Sequence, residues 1–215
     1  MAESLLSVGL DVGTTSTQLI VSQLTISNRE PLDCEKDMPY ENRGFVANIK
    51  ANIGAPRLDT SVIPVNTDLS EFIEQPVKVL DKTFYITAVS WGNPHVAMFV
   101  DSVDDLDVEK YGREIENMTE LFVNKTNVTF AQLVNPNYIK MREWERGTGE
   151  TIGCGTGCCT AVVAGVLTDR CDRQVTVEQI GGPLDINWDK EIKEGNYIQV
   201  YNKKIKNSTF VEYFI

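Results

Sequence analysis

One segment constrains the fold of this chain more than any other: a glycine-rich stretch that runs directly into an apolar one. Residues 153–159 read Gly-Cys-Gly-Thr-Gly-Cys-Cys, and residues 160–167 read Thr-Ala-Val-Val-Ala-Gly-Val-Leu. The second stretch is apolar on every side, and a helix with that pattern has to be buried. We therefore predict a central helix that begins near Gly157 and is enclosed by the rest of the chain.

Strand-like segments lie on both sides of this helix along the chain. Residues 53–75 are interpreted as a loop region, and residues 104–117 predict a short amphipathic helix. Apolar alternation and β-branched residues predict strands at residues 44–52, 83–90, 95–100, 127–135, 137–145, 174–179, 183–188, 196–201 and 208–214. Several strands around one buried helix predict an α+β fold, with an antiparallel or mixed sheet wrapped around the central helix.

The N-terminal part of the chain has a different character. Residues 5–12 and 17–24 predict two strands joined by a Gly-Thr-Thr-Ser turn, so residues 1–30 are interpreted as a β-hairpin-like segment. Residues 31–43 are polar, contain two prolines and show no periodicity, which is typical of a linker. Residues 44–215 are then long enough to bury the core of one α+β domain.

Composition excludes several classes of protein. Acidic residues outnumber basic ones by 31 to 20, and the net charge of −11 argues against binding to nucleic acid, because phosphate contacts need clustered Lys and Arg. No apolar run reaches the roughly 18 residues needed to cross a membrane, and the N-terminus lacks the basic region of a signal peptide. Four of the five cysteines fall between Cys154 and Cys171, a pattern that favours free thiols. We expect a cytoplasmic protein.

Cys154 is the strongest candidate for chemistry. It directly precedes the predicted helix, whose N-terminal N–H groups and dipole stabilise a thiolate and are expected to lower the pKa of the thiol. The same N–H groups can hold a substrate carboxylate. Gly155 and Gly157 allow the backbone to approach such a ligand closely. The pattern predicts acid–base chemistry on a small anionic molecule.

Two further polar residues are candidates. Glu145 ends a strand in which Ile139 and Met141 share its face, so a carboxylate pointing inward there needs a partner or a role. His95, the one histidine of the chain, follows a Gly-Asn-Pro turn, and both a structural and a functional role are open on local sequence alone. Cys158, Cys159 and Cys171 are interpreted as packing residues. No second ligand pair at zinc-site spacing accompanies the cysteines, so no metal is expected.

Several motifs occur in the order and spacing of one known family. They are Asn52-Ile53-Gly54-Ala55-Pro56, Gly92-Asn93-Pro94-His95, Thr126-Asn127-Val128, Trp144-Glu145-Arg146-Gly147-Thr148-Gly149-Glu150-Thr151, Cys154-Gly155-Thr156-Gly157 and Gly181-Gly182-Pro183-Leu184-Asp185-Ile186. With them, residues 44–190 resemble the second half of diaminopimelate epimerase. The resemblance implies a cofactor-independent isomerase that inverts the α-carbon of diaminopimelate from the LL to the meso form, for lysine and cell-wall precursors, with two cysteines on opposite faces of the substrate.

The resemblance also implies individual roles. By motif match, Cys154 resembles the second catalytic cysteine, Glu145 its carboxylate helper, and His95 the helper of the first cysteine. The residues that resemble substrate contacts are Asn93, Asn127, Arg146, Gly155 and Thr156. No cofactor or metal is implied, and the substrate is a small amino acid.

The chain departs from this family before residue 44. The family's Cys-Gly-Asn-Gly motif, which carries the first catalytic thiol, does not occur in the sequence, and Cys34 in the linker has no glycines beside it. Residues 7–20 instead resemble the start of the ethanolamine ammonia-lyase reactivating factor. Their Asp-x-Gly-Thr-Thr turn is also similar to the first phosphate loop of actin-type and sugar-kinase ATPases. We favour a plain β-hairpin and expect no ATP binding.

These observations predict an epimerase of the diaminopimelate type with impaired turnover, because only one of two catalytic thiols is recognisable. A homodimer or another chain could supply the missing domain. One alternative is a truncated or fused chain without catalysis that keeps half of the substrate pocket. Another is a fragment of an ATPase-like reactivating factor.

Overall fold

The computed structural model describes residues 3–12, 17–26, 50–189 and 198–202, and it describes side chains from residue 53 to residue 189. In chain order the strands are β1 (Glu3–Val12), β2 (Thr17–Ile26), β3 (Lys50–Asn52), β4 (Gln75–Val79), β5 (Lys82–Ser90), β6 (Pro94–Phe99), β7 (Asn127–Asn135), β8 (Tyr138–Glu145), β9 (Gly149–Thr151), β10 (Gln174–Gln179), β11 (Gly182–Trp188) and β12 (Ile198–Asn202). Helix α1 (Val108–Glu116) lies between β6 and β7, and helix α2 (Gly155–Leu167) between β9 and β10.

Ten of the described strands form one mixed sheet. Its order is β3-β12-β11-β10-β8-β7-β6-β5-β4, and β9 pairs with β8 outside this path. Neighbouring strands are antiparallel except for β6 with β7 and β8 with β10, which are parallel. β1 and β2 pair with each other as an antiparallel two-stranded sheet. The predicted α+β class with a mixed sheet, preceded by a β-hairpin, is confirmed.

Helix α2 is the buried centre of this fold. Ten of its residues are buried, including the whole run from Gly157 to Gly165. It contacts β5, β6, β7, β8, β10, β11 and β12, so the sheet wraps around it as the sequence predicted. The helix begins at Gly155, two residues earlier than expected, because Cys154 serves as its N-cap.

Alternation along the central strands sends two sets of side chains to opposite faces. One face packs with Val108, Tyr111 and Ile115 of α1. Its strand residues are Val96, Met98, Val128, Phe130 and Trp144. The other face packs with α2 and contributes Val89, Ala131, Ile139 and Met141. Because side chains two residues apart share a face, His95, Asn127, Thr129 and Glu143 all lie on the α2 side of the sheet.

Some expectations differ from the structure or lie outside it. Strand β4 and the short strand β9 were not predicted. The strand predicted at residues 44–52 is described only as β3. The predicted linker, Cys34 and the strand at residues 208–214 lie outside the described residues. Within the described part of the chain, no helix is long and apolar enough to cross a membrane.

Candidate active site

Four polar side chains form a buried row beneath the start of α2. His95 pairs in register with Asn127 across β6 and β7, and Thr129 pairs with Glu143 across β7 and β8. None of the four is more than 6% exposed. The row reaches α2 at Gly157, where an added Cβ atom would lie 2.6 Å from Glu143 Oε2. A side chain at Gly157 would therefore displace the carboxylate of Glu143 from its present position.

Contacts within the row are direct. His95 Nε2 lies 3.4 Å from Asn127 Nδ2, and His95 Nδ1 lies 3.4 Å from Glu143 Oε1. The Thr129 hydroxyl donates to Glu143 Oε2 at 2.6 Å. The imidazole therefore lies between an amide and a carboxylate, and the carboxylate has its second oxygen fixed by a hydroxyl.

Cys154 begins α2 with its sulfur turned back over the first turn. The backbone N–H of Gly157 donates to Cys154 Sγ at 3.4 Å, and Thr156 Oγ1 lies 3.3 Å from the same sulfur. The backbone N–H of Cys154 donates to Gln179 Oε1 at 2.8 Å, and the Cys158 thiol contacts that oxygen at 3.4 Å. The side chain of Gln179, from β10, thus fixes the loop that carries the candidate thiol.

The electrostatics of Cys154 are opposite to the expectation from sequence. Burial raises the pKa of the thiol well above its usual value, and the negative charges of Glu143 and Glu145 raise it further. Hydrogen bonds from Thr156 and Gly157 lower the pKa but do not offset these effects. The expected lowered pKa is therefore wrong, and Cys154 is a neutral thiol at neutral pH.

Glu145 and Arg146 are positioned by a tight turn between β8 and β9. Glu145 pairs in register with Gly149, and Gly147 occupies the turn with a φ of 77°, a conformation that glycine adopts without strain. The Thr151 hydroxyl donates to Glu145 Oε1 at 2.7 Å. The backbone N–H of Arg146 donates to Asn127 Oδ1 at 2.9 Å, which ties the turn to the buried row.

The side chain of Arg146 has a local partner, because its Nη1 donates to the carbonyl oxygen of Asn124 at 2.9 Å. The turn that carries Asn93 is fixed to α2, since Trp91 Nε1 donates to the Thr160 hydroxyl at 2.9 Å. Within the described residues, the buried Oδ1 atom of Asn93 makes no hydrogen bond.

The structure thus brings six of the eight sequence candidates into two connected groups. His95, Asn127 and the backbone of Arg146 are linked by contacts, while Cys154, Gly155 and Thr156 form the N-terminus of α2. Glu143 connects the groups, since it contacts His95 and acts on the pKa of Cys154. In the part of the chain that the structure describes, no cluster of three or more His, Cys, Asp or Glu residues could hold a metal ion.

Sequence reasoning missed three residues of this region. Glu143 shares the alternation that placed Glu145 on the inner face, so the signal for it was present. Thr129 shares the alternation of Asn127 in the same way. Gln179 carried no signal, because it lies 25 residues from Cys154 and belongs to no recognised motif.

Two solved structures share the fold of this chain. A phenazine biosynthesis protein of the PhzF family from Bacillus anthracis has a similar fold, with a TM-score of 0.50 at 17% identity over 85% of this chain and 64% of that one. A predicted epimerase from Pseudomonas aeruginosa also has a TM-score of 0.50, at 10% identity over 92% of this chain and 63% of its own. At these identities the likeness concerns the fold alone.

The chain belongs to the diaminopimelate epimerase family, whose model matches residues 87–204, more than half of the 215 residues. The diaminopimelate epimerase of Trichodesmium erythraeum is 45% identical over 65% of this chain and 51% of its own length. That of Moorella thermoacetica is 43% identical, over 67% and 52% respectively. That of Methanococcus maripaludis is 40% identical, over 72% and 55%.

The chain therefore spans about half the length of the curated relatives that it matches. A second, short match covers residues 3–36 and is to the model of the ethanolamine utilisation protein EutA. Both resemblances drawn from the sequence are confirmed.

Proposed function

We propose that this chain carries one half of a cofactor-independent acid–base site of the diaminopimelate epimerase type, with Cys154 as the group that exchanges a proton with the substrate α-carbon. The observation that carries the proposal is the position of Cys154 as N-cap of a buried helix, with its sulfur facing Thr156 and its pKa raised by burial and by two carboxylates. A thiol in this position reaches one face of a substrate and can donate or accept one proton.

The partners of Cys154 fit this role. Because burial and the negative charges of Glu143 and Glu145 keep the sulfur protonated, the resting thiol is ready to deliver a proton to a carbanion on its side. To act in the reverse direction it must first lose that proton. Glu145, oriented by Thr151, is the carboxylate that we propose takes it.

The surrounding groups are those that hold an amino acid. The first turn of α2 leaves backbone N–H groups at Gly155 and Thr156 without helical partners, a suitable cradle for an α-carboxylate. We propose that the Asn93 and Asn127 side chains and Arg146 contact the rest of the substrate. The names of the curated relatives supply the substrate, diaminopimelate, on which we propose that this chain acts.

Inversion of an α-carbon needs a second acid–base group on the opposite face. We assign His95 to that half of the site by motif match, although no Cys-Gly-Asn-Gly motif accompanies it in the sequence. We propose that the second thiol comes from another chain or a second copy of this one. The alternative is a chain that binds substrate without proton exchange.

The two functions are separated by deuterium uptake. The chain is incubated in D₂O with LL- and with meso-diaminopimelate separately, and α-deuterium is measured by mass spectrometry and NMR. We expect uptake from one configuration with retention, and loss of that uptake by at least about 100-fold in Cys154→Ala, because a general acid–base group contributes about that much.

Cys171→Ala is the control, since this thiol follows α2 in the chain and contacts the carbonyl oxygen of Val162 rather than the first turn of the helix. It should exchange like the parent. Saturable binding of diaminopimelate with no deuterium uptake in the parent chain would support the alternative instead.

A further inference from the structure

Glu143 is a buried carboxylate that the proposed proton transfers do not use. Its side chain is only 1% exposed, and a carboxylate in such a place is costly unless it is bound by other groups. The Thr129 hydroxyl donates to one of its oxygens, and the His95 ring lies beside the other. Gly157, at the start of α2, also lies against the carboxylate. A negative charge in this position can influence which ring nitrogen of His95 carries the proton.

Two hydrogen bonds fix the orientation of the Asn127 amide. Asn127 Nδ2 donates to the carbonyl oxygen of Pro94 at 2.9 Å, and Asn127 Oδ1 accepts from the backbone N–H of Arg146 at 2.9 Å. A carbonyl can only accept and an N–H can only donate. The amide therefore cannot be turned around without losing both bonds, and its NH₂ group must face His95.

This orientation favours one protonation state of the ring. Because Asn127 presents a donor 3.4 Å from His95 Nε2, a lone pair on that nitrogen is favoured. In the neutral ring the proton then lies on Nδ1, which faces Glu143 Oε1 at 3.4 Å. Within the described residues, neither Nδ1 nor this oxygen makes a hydrogen bond, so the approach between them is a charge contact. Each atom is thus left facing the other.

We propose that Glu143 is a positioning residue that, together with Asn127 on the opposite side, holds His95 in the Nδ1–H tautomer. Nε2 is then the single ring atom on which His95 can accept a proton. Thr129 orients the carboxylate, and Gly157 leaves the space that it occupies. The relevance of this tautomer to catalysis rests on the proposed function, whereas the tautomer itself does not.

The chain offers an unusually clean test, because His95 is its one histidine. In protein labelled with ¹⁵N on histidine, the two ring nitrogens give a single pair of resonances, and these distinguish a protonated nitrogen from one with a lone pair. At mildly alkaline pH we expect a protonated Nδ1 and an unprotonated Nε2. A protonated Nε2, alone or together with Nδ1, would overturn the proposal.

Variants test whether Glu143 is responsible. Glu143→Gln places an amide beside Nδ1 that can donate or accept, so the single tautomer should be replaced by a mixture. Thr129→Val keeps the carboxylate but removes its orienting hydroxyl, and it should produce a smaller change in the same direction. Glu109→Gln is the matched control, because Glu109 is an exposed carboxylate on α1 and should leave the spectrum unchanged.

Circular dichroism of each variant shows whether it is folded. If Glu143→Gln does not fold, the parent spectrum and Thr129→Val decide the outcome. A folded Glu143→Gln with an unchanged single tautomer would overturn the role of Glu143. The result is independent of deuterium uptake: a correct tautomer without uptake contradicts the proposed function alone, and uptake with the wrong tautomer contradicts this inference alone.

Discussion

Cys154 lies where opposing electrostatic influences meet. The N-terminus of α2 favours a thiolate, because its free N–H groups point toward the sulfur. Burial and the two nearby carboxylates favour the neutral thiol, and they prevail. A helix terminus is worth at most a modest stabilisation, whereas removing a charge from water costs considerably more. The thiol is therefore protonated in the free site.

The first prediction at this scale concerns pH. Below its raised pKa, the thiolate fraction of Cys154 grows about tenfold with each pH unit, so alkylation by iodoacetamide should keep rising through the alkaline range in which an ordinary thiol levels off near its pKa of about 8.5. Site-resolved mass spectrometry measures the rate, with a short cysteine peptide as the reference. Glu145→Gln removes one of the charges that raise the pKa and should speed alkylation at any given pH. A rate for the parent chain that levels off before the peptide does would contradict this prediction.

The sequence predicted an inward carboxylate on β8 but not the raised pKa of Cys154. Alternation from Ile139 through Met141 predicted an inward carboxylate, and the fully buried one is Glu143, while Glu145 is half-buried at the strand end. The pattern thus identified the correct face. The raised pKa of Cys154 could not be predicted, because it depends on how β8 and α2 meet in space and on the burial of the sulfur.

At the scale of elements, α1 fixes the turn that carries the site. Glu116, at the end of α1, accepts from Trp144 Nε1 at 2.7 Å and from the backbone N–H of Gly147 at 3.0 Å, and Lys125 Nζ lies 3.4 Å away. This buried carboxylate therefore connects α1 to the end of β8 and to the turn that follows it. Its ionised form is required for these contacts.

The second prediction follows from the charge of Glu116. Burial by itself would raise the pKa of Glu116, but the bonds from Trp144, Gly147 and Lys125 lower it below its ordinary value. A lowered pKa in the folded state means that ionised Glu116 stabilises the fold at neutral pH and that this contribution is lost as the pH falls through that lowered pKa. Glu116→Gln should therefore reduce the free energy of unfolding by about 1.5–3 kcal/mol at pH 7.

Urea unfolding of the parent chain and of Glu116→Gln at a series of pH values measures this effect. The difference between them should shrink once the pH drops below about 4. Glu109→Gln, at an exposed position of α1, should differ little from the parent at any pH. An equal difference between Glu116→Gln and the parent at neutral and at acid pH would show that charge is not the cause.

Elements differed in how well the sequence predicted them. The buried helix was predicted because residues 160–167 are apolar on every side, and a helix with that pattern has to be buried. Strand β4 was missed because Pro76 interrupts its pattern, and such a strand is tolerated because β4 lies at the edge of the sheet. Strand β9 has three residues and no apolar alternation. It forms because the turn after Glu145 brings Gly149 back beside β8.

At the scale of the whole molecule, the two faces of the sheet differ in composition. The face toward α1 is an apolar core, and the face toward α2 combines a core with the buried polar row. Each strand of the row contributes only one or two of its side chains, so the site depends on the register of β6, β7 and β8 together. Motifs distant in the sequence converge for this reason.

The last prediction concerns the rate at which the isolated chain interconverts the two isomers of the substrate. Catalytic groups that act as a unit are strongly non-additive, so losing one of them can cost nearly as much as losing all. We expect the isolated chain to interconvert LL- and meso-diaminopimelate at least about 10³-fold more slowly than a full-length relative, in keeping with the contribution of one general acid–base group.

The measurement is the change of optical rotation or of isomer ratio with time, with the diaminopimelate epimerase of Moorella thermoacetica assayed in parallel. Interconversion by the isolated chain at the rate of that relative would falsify the half-site proposal. Cys34→Ala and the dependence of the rate on protein concentration would then locate the second group. Loss of activity in Cys34→Ala would place it on this chain, and a rate per molecule that rises with concentration would place it on a second copy, because only association brings two chains together at one substrate.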